Sequence, residues 1–419
     1  MPVLAPADNA APGMADSREA RQMLHCSIAC QPAVAVPTLA GTEGGAMDAA
    51  TEAKAGPAGR EGMTVIDCDV HPILPGGLET LCRYVPQAWA ERFRRKGAVL
   101  AGTSGVPLRF QHPNGSVPRT DARGPKGGVA GSDPEYLIAD LLDGNNVALA
   151  LLNCIQAGAV SAALSQAEES VVLARAYNDY FMQEWLPLDR RLRFAPTVPV
   201  QDPQAAAEEI ARVAANPQVA AVSLPLLNIQ MGNRWYWPIY AAAEKAGLPV
   251  YLHVTGLESL IAGTPQITAG TFDSYLDRYL AMPQLAESSV RNLVFSGVFE
   301  RFPGVRFMFA EFGFLWLLPL MWRMDRVWRG LRHEVPWVKQ PPSETVRTRC
   351  FFTTQPVDEP DDPADLARLM ALIGDEVLCF SSDYPHWDND MPGATLRFLS
   401  PETRRKIFHD NPVRALRLS

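Results

Sequence analysis

The chain has 419 residues, 47% hydrophobic and 20% charged, with 38 basic side chains against 46 acidic ones and a net charge of -8. This composition belongs to a globular protein of one large domain or two to three ordinary ones, and its scattered Lys and Arg exclude the basic footprint that nucleic acid or an anionic membrane surface requires. No apolar run reaches the roughly 18 residues of a membrane span, since the stretch around Leu315 is cut by Pro319 and Arg323.

Seven cysteines (Cys26, Cys30, Cys68, Cys82, Cys154, Cys350 and Cys379) form an odd set without a CxxC pair. In a chain of this length they fit a reducing, cytoplasmic setting. Residues 1–62 are rich in Ala, Gly and Pro and lack Phe, Trp and Tyr, so they cannot build a packed face and are expected to be a disordered tail. A secretory reading of Arg18, Arg21 and the apolar stretch 23–40 is interrupted by Gln31, Pro32 and Pro37. Because a strand pattern begins directly after Met63, a translation start at Met63 is the alternative account of the tail.

From there, short β-branched or apolar runs recur at 64–68, 146–152, 193–198, 219–226, 249–254, 305–310, 350–354 and 377–381. Helical patterns separate most of them: 134–143 behind an Asp133 cap, 167–185, 203–215, 237–246 closed by Gly247, 282–302, 314–331 and 363–373. Continuously apolar strands alternating with amphipathic helices imply a parallel sheet covered on both faces. Eight such units make an α/β protein, a (β/α)8 TIM barrel over 63–419. Its first crossover is irregular, with a helix near 86–96 followed by the Gly- and Pro-rich stretch 97–131, expected to be a long insertion after strand one.

Barrel chemistry gathers where strands exit at their carboxyl ends. Strand one leaves through Asp67-Cys-Asp69-Val-His71, strand five through His253, strand six through Glu311, and strand eight through Asp383 with His386 three residues on. Asp69 and His71, two apart, project to one side of an extended chain and grip one ion together; Asp67 joins that face if the strand continues. A lone DxH pair is more often a solvated turn, and a lone His253 a neutral core histidine, so the position of both at strand ends carries the reading. Glu311 stands in an otherwise apolar run, where a carboxylate needs a cation, an Arg or a proton. His333 and His409 lie among charged helical residues and read as surface groups, and His112 in the insertion is a weak substrate-loop candidate. Arg234, Trp235 and Tyr236 after strand four, and Trp387 beside the ligands, are the candidate substrate contacts, a guanidinium at a strand exit suiting a carboxylate.

With these residues in view, the chain resembles the amidohydrolase-related group typified by aminocarboxymuconate-semialdehyde decarboxylase, from about Met63 to Leu418. The matches are Ile66-Asp-Cys-Asp-Val-His71, Leu248-Pro-Val-Tyr-Leu-His253, Ser296-Gly-Val-Phe-Glu-Arg-Phe-Pro303 leading to Glu311, Ser382-Asp-Tyr-Pro385 and Asp410-Asn-Pro412. The resemblance implies a barrel with a divalent ion at the strand exits, held by Asp69, His71, His253 and Asp383, and chemistry of decarboxylation, hydration or hydrolysis. Many decarboxylases of the group carry a sixth-strand histidine. Here Glu311 takes that position and His386 is an added imidazole, the change that converts a one-ion site into a two-ion site.

The favoured expectation is therefore a dinuclear Fe or Mn/Fe oxygenase like a small branch of this group, hydroxylating a small organic substrate with Glu311 and Asp383 as catalytic groups. Mixed O and N donors without thiolate favour Fe or Mn, with Zn compatible, as one or two ions. The absence of an ionisable side chain in 219–227 weakens an ordinary two-metal hydrolase. Hydrolysis or hydration by metal-bound water is the second reading, non-oxidative decarboxylation the third, and a degenerate partner barrel the fourth. The expected partners are a small-molecule substrate and a second copy of the chain or a related subunit.

Overall fold

The computed structural model describes residues 63–96, 117–164, 166–258, 264–265, 272 and 274–418. Eight strands appear where the apolar runs place them: β1 Val65–Val70, β2 Val147–Leu152, β3 Leu192–Phe194, β4 Val222–Ser223, β5 Val250–His253, β6 Phe307–Ala310, β7 Cys350–Thr353 and β8 Leu378–Cys379. All ladder pairs are parallel, in one sheet of order β1-β2-β3 and one of order β4 to β8. Single bridges join the two sheets at both seams. Phe194 pairs with Val219 and Thr197 with Ser223 between β3 and β4, and Val70 pairs with Tyr384 between β1 and the chain after β8. The second seam is held by Cys68 N to Phe380 O at 3.0 Å, His71 N to Tyr384 O at 2.8 Å and Asp383 N to Asp69 O at 3.1 Å. The result is a closed (β/α)8 barrel.

Closure explains the unalternating strands, because both faces are buried. Ile66, Cys68, Tyr251, Met308, Phe351 and Cys379 pack with one another along the inside of the barrel. The alternate residues, such as Val250, Leu252, Phe307, Phe309 and Phe352, join the larger core under the helices. β3 and β4 are shorter than their apolar runs: Pro196 and Pro199 after β3 and Pro225 after β4 lack the N–H a ladder needs.

The helices begin as the capping residues direct. Asp133, Asp202 and Asp362 each accept backbone N–H groups ahead of Pro134, Pro203 and Pro363, and Gly247 closes Trp237–Ala246 at φ 74°. The expected helix over 282–302 is instead two, Pro283–Phe295 and Val298–Arg301. They part at Gly297, where φ is 77° and a Cβ would come within 2.6 Å of Trp337 Cδ1. Helices Ile155–Ala163, Tyr275–Ala281, Pro342–Arg349 and Asn411–Leu416 were not expected. In the first, residues 157–162 are all buried, so no polar face marks its period.

The tail 1–62 and, within the insertion, 97–116 with His112 lie outside the described residues. The remainder of the insertion packs on the exits of β1 and β8. Val117 O accepts from Trp387 N at 3.0 Å, Arg119 N donates to Pro385 O at 2.7 Å, and Ile73 N donates to Gly131 O at 2.9 Å. Among the described residues no helix is long and apolar enough to cross a membrane.

Candidate metal centre

The irregular register of β1 between Asp67 and Val70 turns its last residues toward the barrel mouth. Asp67 does not join Asp69 and His71 there: its Oδ1 accepts from Asp69 N at 3.2 Å and Ser382 N at 2.9 Å, tying β1 to the chain after β8. His71 directs Nδ1 at the Asn153 carbonyl, 3.0 Å away, which leaves Nε2 facing Asp69 Oδ1 at 3.3 Å and Asp383 Oδ1 at 2.7 Å. His253 is oriented in the same manner, Nδ1 against the Val254 carbonyl and Nε2 at 3.1 Å from both Asp69 Oδ2 and Glu311 Oε2. A backbone acceptor behind each imidazole fixes the ring that faces the ion. Tyr251, two residues before His253, donates its hydroxyl to Asp69 Oδ1 at 2.6 Å.

Glu311 and Asp383 stand at strand exits with φ of 61° and 60°. Left-handed backbone is costly for such residues and is kept only where the surroundings enforce it. Here Glu311 N donates to Thr353 Oγ1 at 3.2 Å, and Asp383 N to Asp69 O. His386 stacks on His71 with ring centroids 4.5 Å apart and directs Nδ1 to Asp383 Oδ1 at 2.8 Å. All six residues are at most 9% exposed.

Asp69, His71, His253 and Asp383 each offer one donor atom within 4.8 Å of the others, and so do His71, Glu311, Asp383 and His386. The residues fit a divalent ion. His71 Nε2 and Asp383 Oδ1 are buried and 2.7 Å apart without the alignment of a regular hydrogen bond. Carboxylate oxygens and imidazole nitrogens that converge on one buried point form the donor set a divalent cation takes.

The charges in this cluster act strongly on one another. Burial works against charge on Asp69, but His71 and His253 outweigh it and hold the carboxyl at about 2. Burial likewise opposes charge on His71, where Asp69 and Asp383 prevail and raise it to about 9; His253 is raised well above its ordinary value by Asp69 and Glu311 against the same opposition. Burial lifts Asp383 to about 6, and burial together with the charge of His71 pushes His386 down to about 3.

Trp387 lies at this mouth, 38% exposed, its ring 6.3 Å from that of Tyr279. Arg234 and Trp235 do not share those contacts. Arg234 stacks over Trp237 at 5.1 Å and lines a surface cleft with Ser296 and Trp337, and the Trp235 indole donates to Val200 O at 3.0 Å. Tyr236 is buried with its hydroxyl on the Ile229 carbonyl. Arg234 and Trp235, expected to meet substrate, are directed by the turn after β4 to packing contacts of their own rather than into the His and Asp cluster. Tyr251, Asn153, Gln355, Tyr279 and Asp388 support the centre or its rim and were not singled out from sequence. Tyr251 had a signal, the period of two that places it beside His253 on one face.

A family model described as amidohydrolase matches residues 66–418. The chain belongs to the amidohydrolase family. It is 26% identical over 267 residues to the gamma-resorcylate decarboxylase of Rhodococcus jostii, a match covering 58% of this chain and 75% of that protein. Its fold is shared with the 5-carboxyvanillate decarboxylase of Sphingomonas paucimobilis, at 19% identity and a TM-score of 0.60 over 85% of this chain and all of that one. It is shared equally with a dihydroxybenzoic acid decarboxylase from Polaromonas solved with manganese and 2-nitroresorcinol, at 18% identity and a TM-score of 0.58 over 85% and 98% of the two chains. The chain is thus an amidohydrolase-fold enzyme.

Proposed function

We propose that the chain is a divalent-metal-dependent, non-oxidative decarboxylase of a small aromatic carboxylate. The observation that carries this reading is the four-donor group Asp69, His71, His253 and Asp383 at the barrel mouth, flanked by Glu311 and His386. The decarboxylase relatives support it. Bound by those four residues, a divalent ion, with manganese the favoured choice, supplies the positive charge that fixes a substrate carboxylate and a neighbouring oxygen. Decarboxylation breaks one C–C bond, leaves its electron pair on the ring carbon and requires a proton there while CO2 departs. Glu311, outside the group of four and 3.1 Å from His253 Nε2, is the carboxyl that carries this proton; Asp383, backed by His386 Nδ1 at 2.8 Å, orients the reacting carbon's neighbours.

The dinuclear oxygenase favoured on sequence grounds is not supported. The relatives named for an activity are decarboxylases, and a single ion held by the group of four, which shares His71 and Asp383 with the second group, suffices for that reaction. The experiment is an anaerobic assay of the manganese-loaded protein with 2,6-dihydroxybenzoate and related hydroxybenzoates. CO2 release with one ion per chain is expected. Two ions per chain and product formed only with consumption of O2 would overturn the proposal.

A further inference from the structure

After β8 the chain runs Asp383-Tyr-Pro-His-Trp-Asp388, and Asp388 is not one of the expected ligands. Its Oδ2 accepts the Tyr279 hydroxyl and, at 3.1 Å, the Gln355 Nε2 amide. Gln355 is fully buried just beyond β7, so its amide is fixed. Tyr279 belongs to Tyr275–Ala281, a helix anchored by the buried pair of Arg278 with Glu258 at 3.0 Å. With both donors on Oδ2, Asp388 Oδ1 has no hydrogen-bond partner among the described residues, and the side chain is only half-buried.

Three rings run beside this carboxylate: Tyr279, whose hydroxyl donates to Oδ2, Tyr275 5.7 Å from Tyr279, and Trp387, the preceding residue, 6.3 Å from Tyr279. Asp388 follows His386 by two residues, and His386 Nδ1 meets Asp383 Oδ1 at 2.8 Å, which sets Asp388 at the edge of the candidate metal centre. Among the described residues, Arg278 is matched with Glu258 and Arg119 with Asp121 at 2.7 Å. An ionised carboxylate is acceptor-only. A second carboxylate on the substrate would meet the carboxylates of Asp388, Glu311 and Asp383, whereas an amine or hydroxyl would complete a charge-assisted hydrogen bond.

We infer that Asp388 is a specificity residue: its Oδ1 accepts a hydrogen bond from an amine or hydroxyl at the far end of an aromatic monocarboxylate whose ring rests on Tyr275, Tyr279 and Trp387. The substrate class rests on the decarboxylase reading; the donor preference does not.

The test uses 2-nitrophenols, whose nitro group stands in for the carboxylate, binding to the manganese-loaded full chain by calorimetry. A 4-amino analogue is expected to bind at least about tenfold tighter than the 4-methoxy analogue, with the 4-carboxy analogue weakest. In Asp388→Asn the amide oxygen stays with Tyr279 and Gln355, so an NH2 donor faces the ligand; the amine should lose its advantage and the methoxy analogue should bind at least as well. Tyr279→Phe, which frees Oδ2 to rotate, should narrow the same ratio and serves if Asp388→Asn does not fold. Equal binding of amino and methoxy analogues by the unsubstituted chain, no binding of any analogue, or an unchanged order in both variants would overturn the assignment. A donor preference lost in Asp388→Asn, without CO2 from any matching benzoate, would sustain the assignment while sinking the decarboxylase reading.

Discussion

His71 and His253 each have one nitrogen on a backbone carbonyl and the other on the space that a cation fills. Truncating either to Ala removes a donor that no neighbour replaces, and bound manganese is expected to fall from about one ion per chain to near zero by elemental analysis. Glu311→Gln should behave differently. The four donors remain, so metal content holds while kcat drops by about 100- to 10,000-fold with the lost proton carrier; a variant that keeps near-full kcat would remove Glu311 from that role. The raised imidazoles add a proton linkage. With His71 raised to about 9 and His253 raised well above its ordinary value by the surrounding carboxylates, both imidazoles favour the protonated form in the metal-free protein. An ion takes only neutral imidazole, so manganese uptake must expel protons, and affinity must fall as pH falls. Calorimetry in buffers of differing ionisation enthalpy checks this; heats that do not vary with buffer would contradict it.

The helix Tyr275–Ala281 shows how an element without a strong sequence signal shapes a site. Ser274 caps it, and Arg278 reaches Glu258, which also accepts Thr255 N at 2.7 Å and Thr255 Oγ1 at 2.9 Å. That network joins the helix to the β5 exit two residues beyond His253. Arg278→Met would leave Glu258 buried and uncompensated, a loss of about 3–5 kcal/mol, read by denaturant unfolding, with a raised KM as Tyr275 and Tyr279 shift. The insertion is placed by backbone geometry instead. Gly131 has φ 83°, and a Cβ there would lie 2.8 Å from His71 O and 3.1 Å from Pro385 Cγ. Gly131→Ala is expected to cost about 1–2 kcal/mol and to weaken manganese binding, because relief of the clash moves the residue that carries a ligand.

Across the whole molecule, the metal centre is the place where eight strands end together, so the ion and the fold stabilise one another. Chelation should lower the unfolding midpoint and added manganese restore it, by about 4 kcal/mol at a free concentration 1,000 times the Kd. The pH dependence has a definite sign. His71, raised to about 9, contributes stability that is full below about 6.5 and is lost as pH rises through 9 in the metal-free chain. Asp69, held at about 2, contributes stability present above about 3.9 and lost as pH falls through 2. The metal-loaded chain has no imidazolium to lose and binds its ion better at higher pH. The stability gap between loaded and metal-free protein should therefore widen from pH 6 to 9, by thermal unfolding with and without chelator; a constant gap would mean that His71 is not protonated in the free chain.

The sequence by itself determined the barrel and the ligand types at its mouth. Continuous apolar runs and capped helices are local patterns, and Asp69, His71, His253, Glu311, Asp383 and His386 are legible because chemistry in this fold sits at strand exits. What only the tertiary structure decided is how those six side chains share space. Asp69, His71, His253, Glu311, Asp383 and His386 draw into one cluster in which two possible ligand groups overlap on His71 and Asp383, since spacing along a chain says nothing of which donors converge on a point. The same holds for Asp67, drawn into strand closure, for Arg234 and Trp235, turned to contacts beyond β4, and for Asp388, whose acceptor is defined by Tyr279 and Gln355 from distant parts of the chain. Closure of β8 on β1 sets the direction of Asp67, and contacts with other segments set the rest; no local period encodes them.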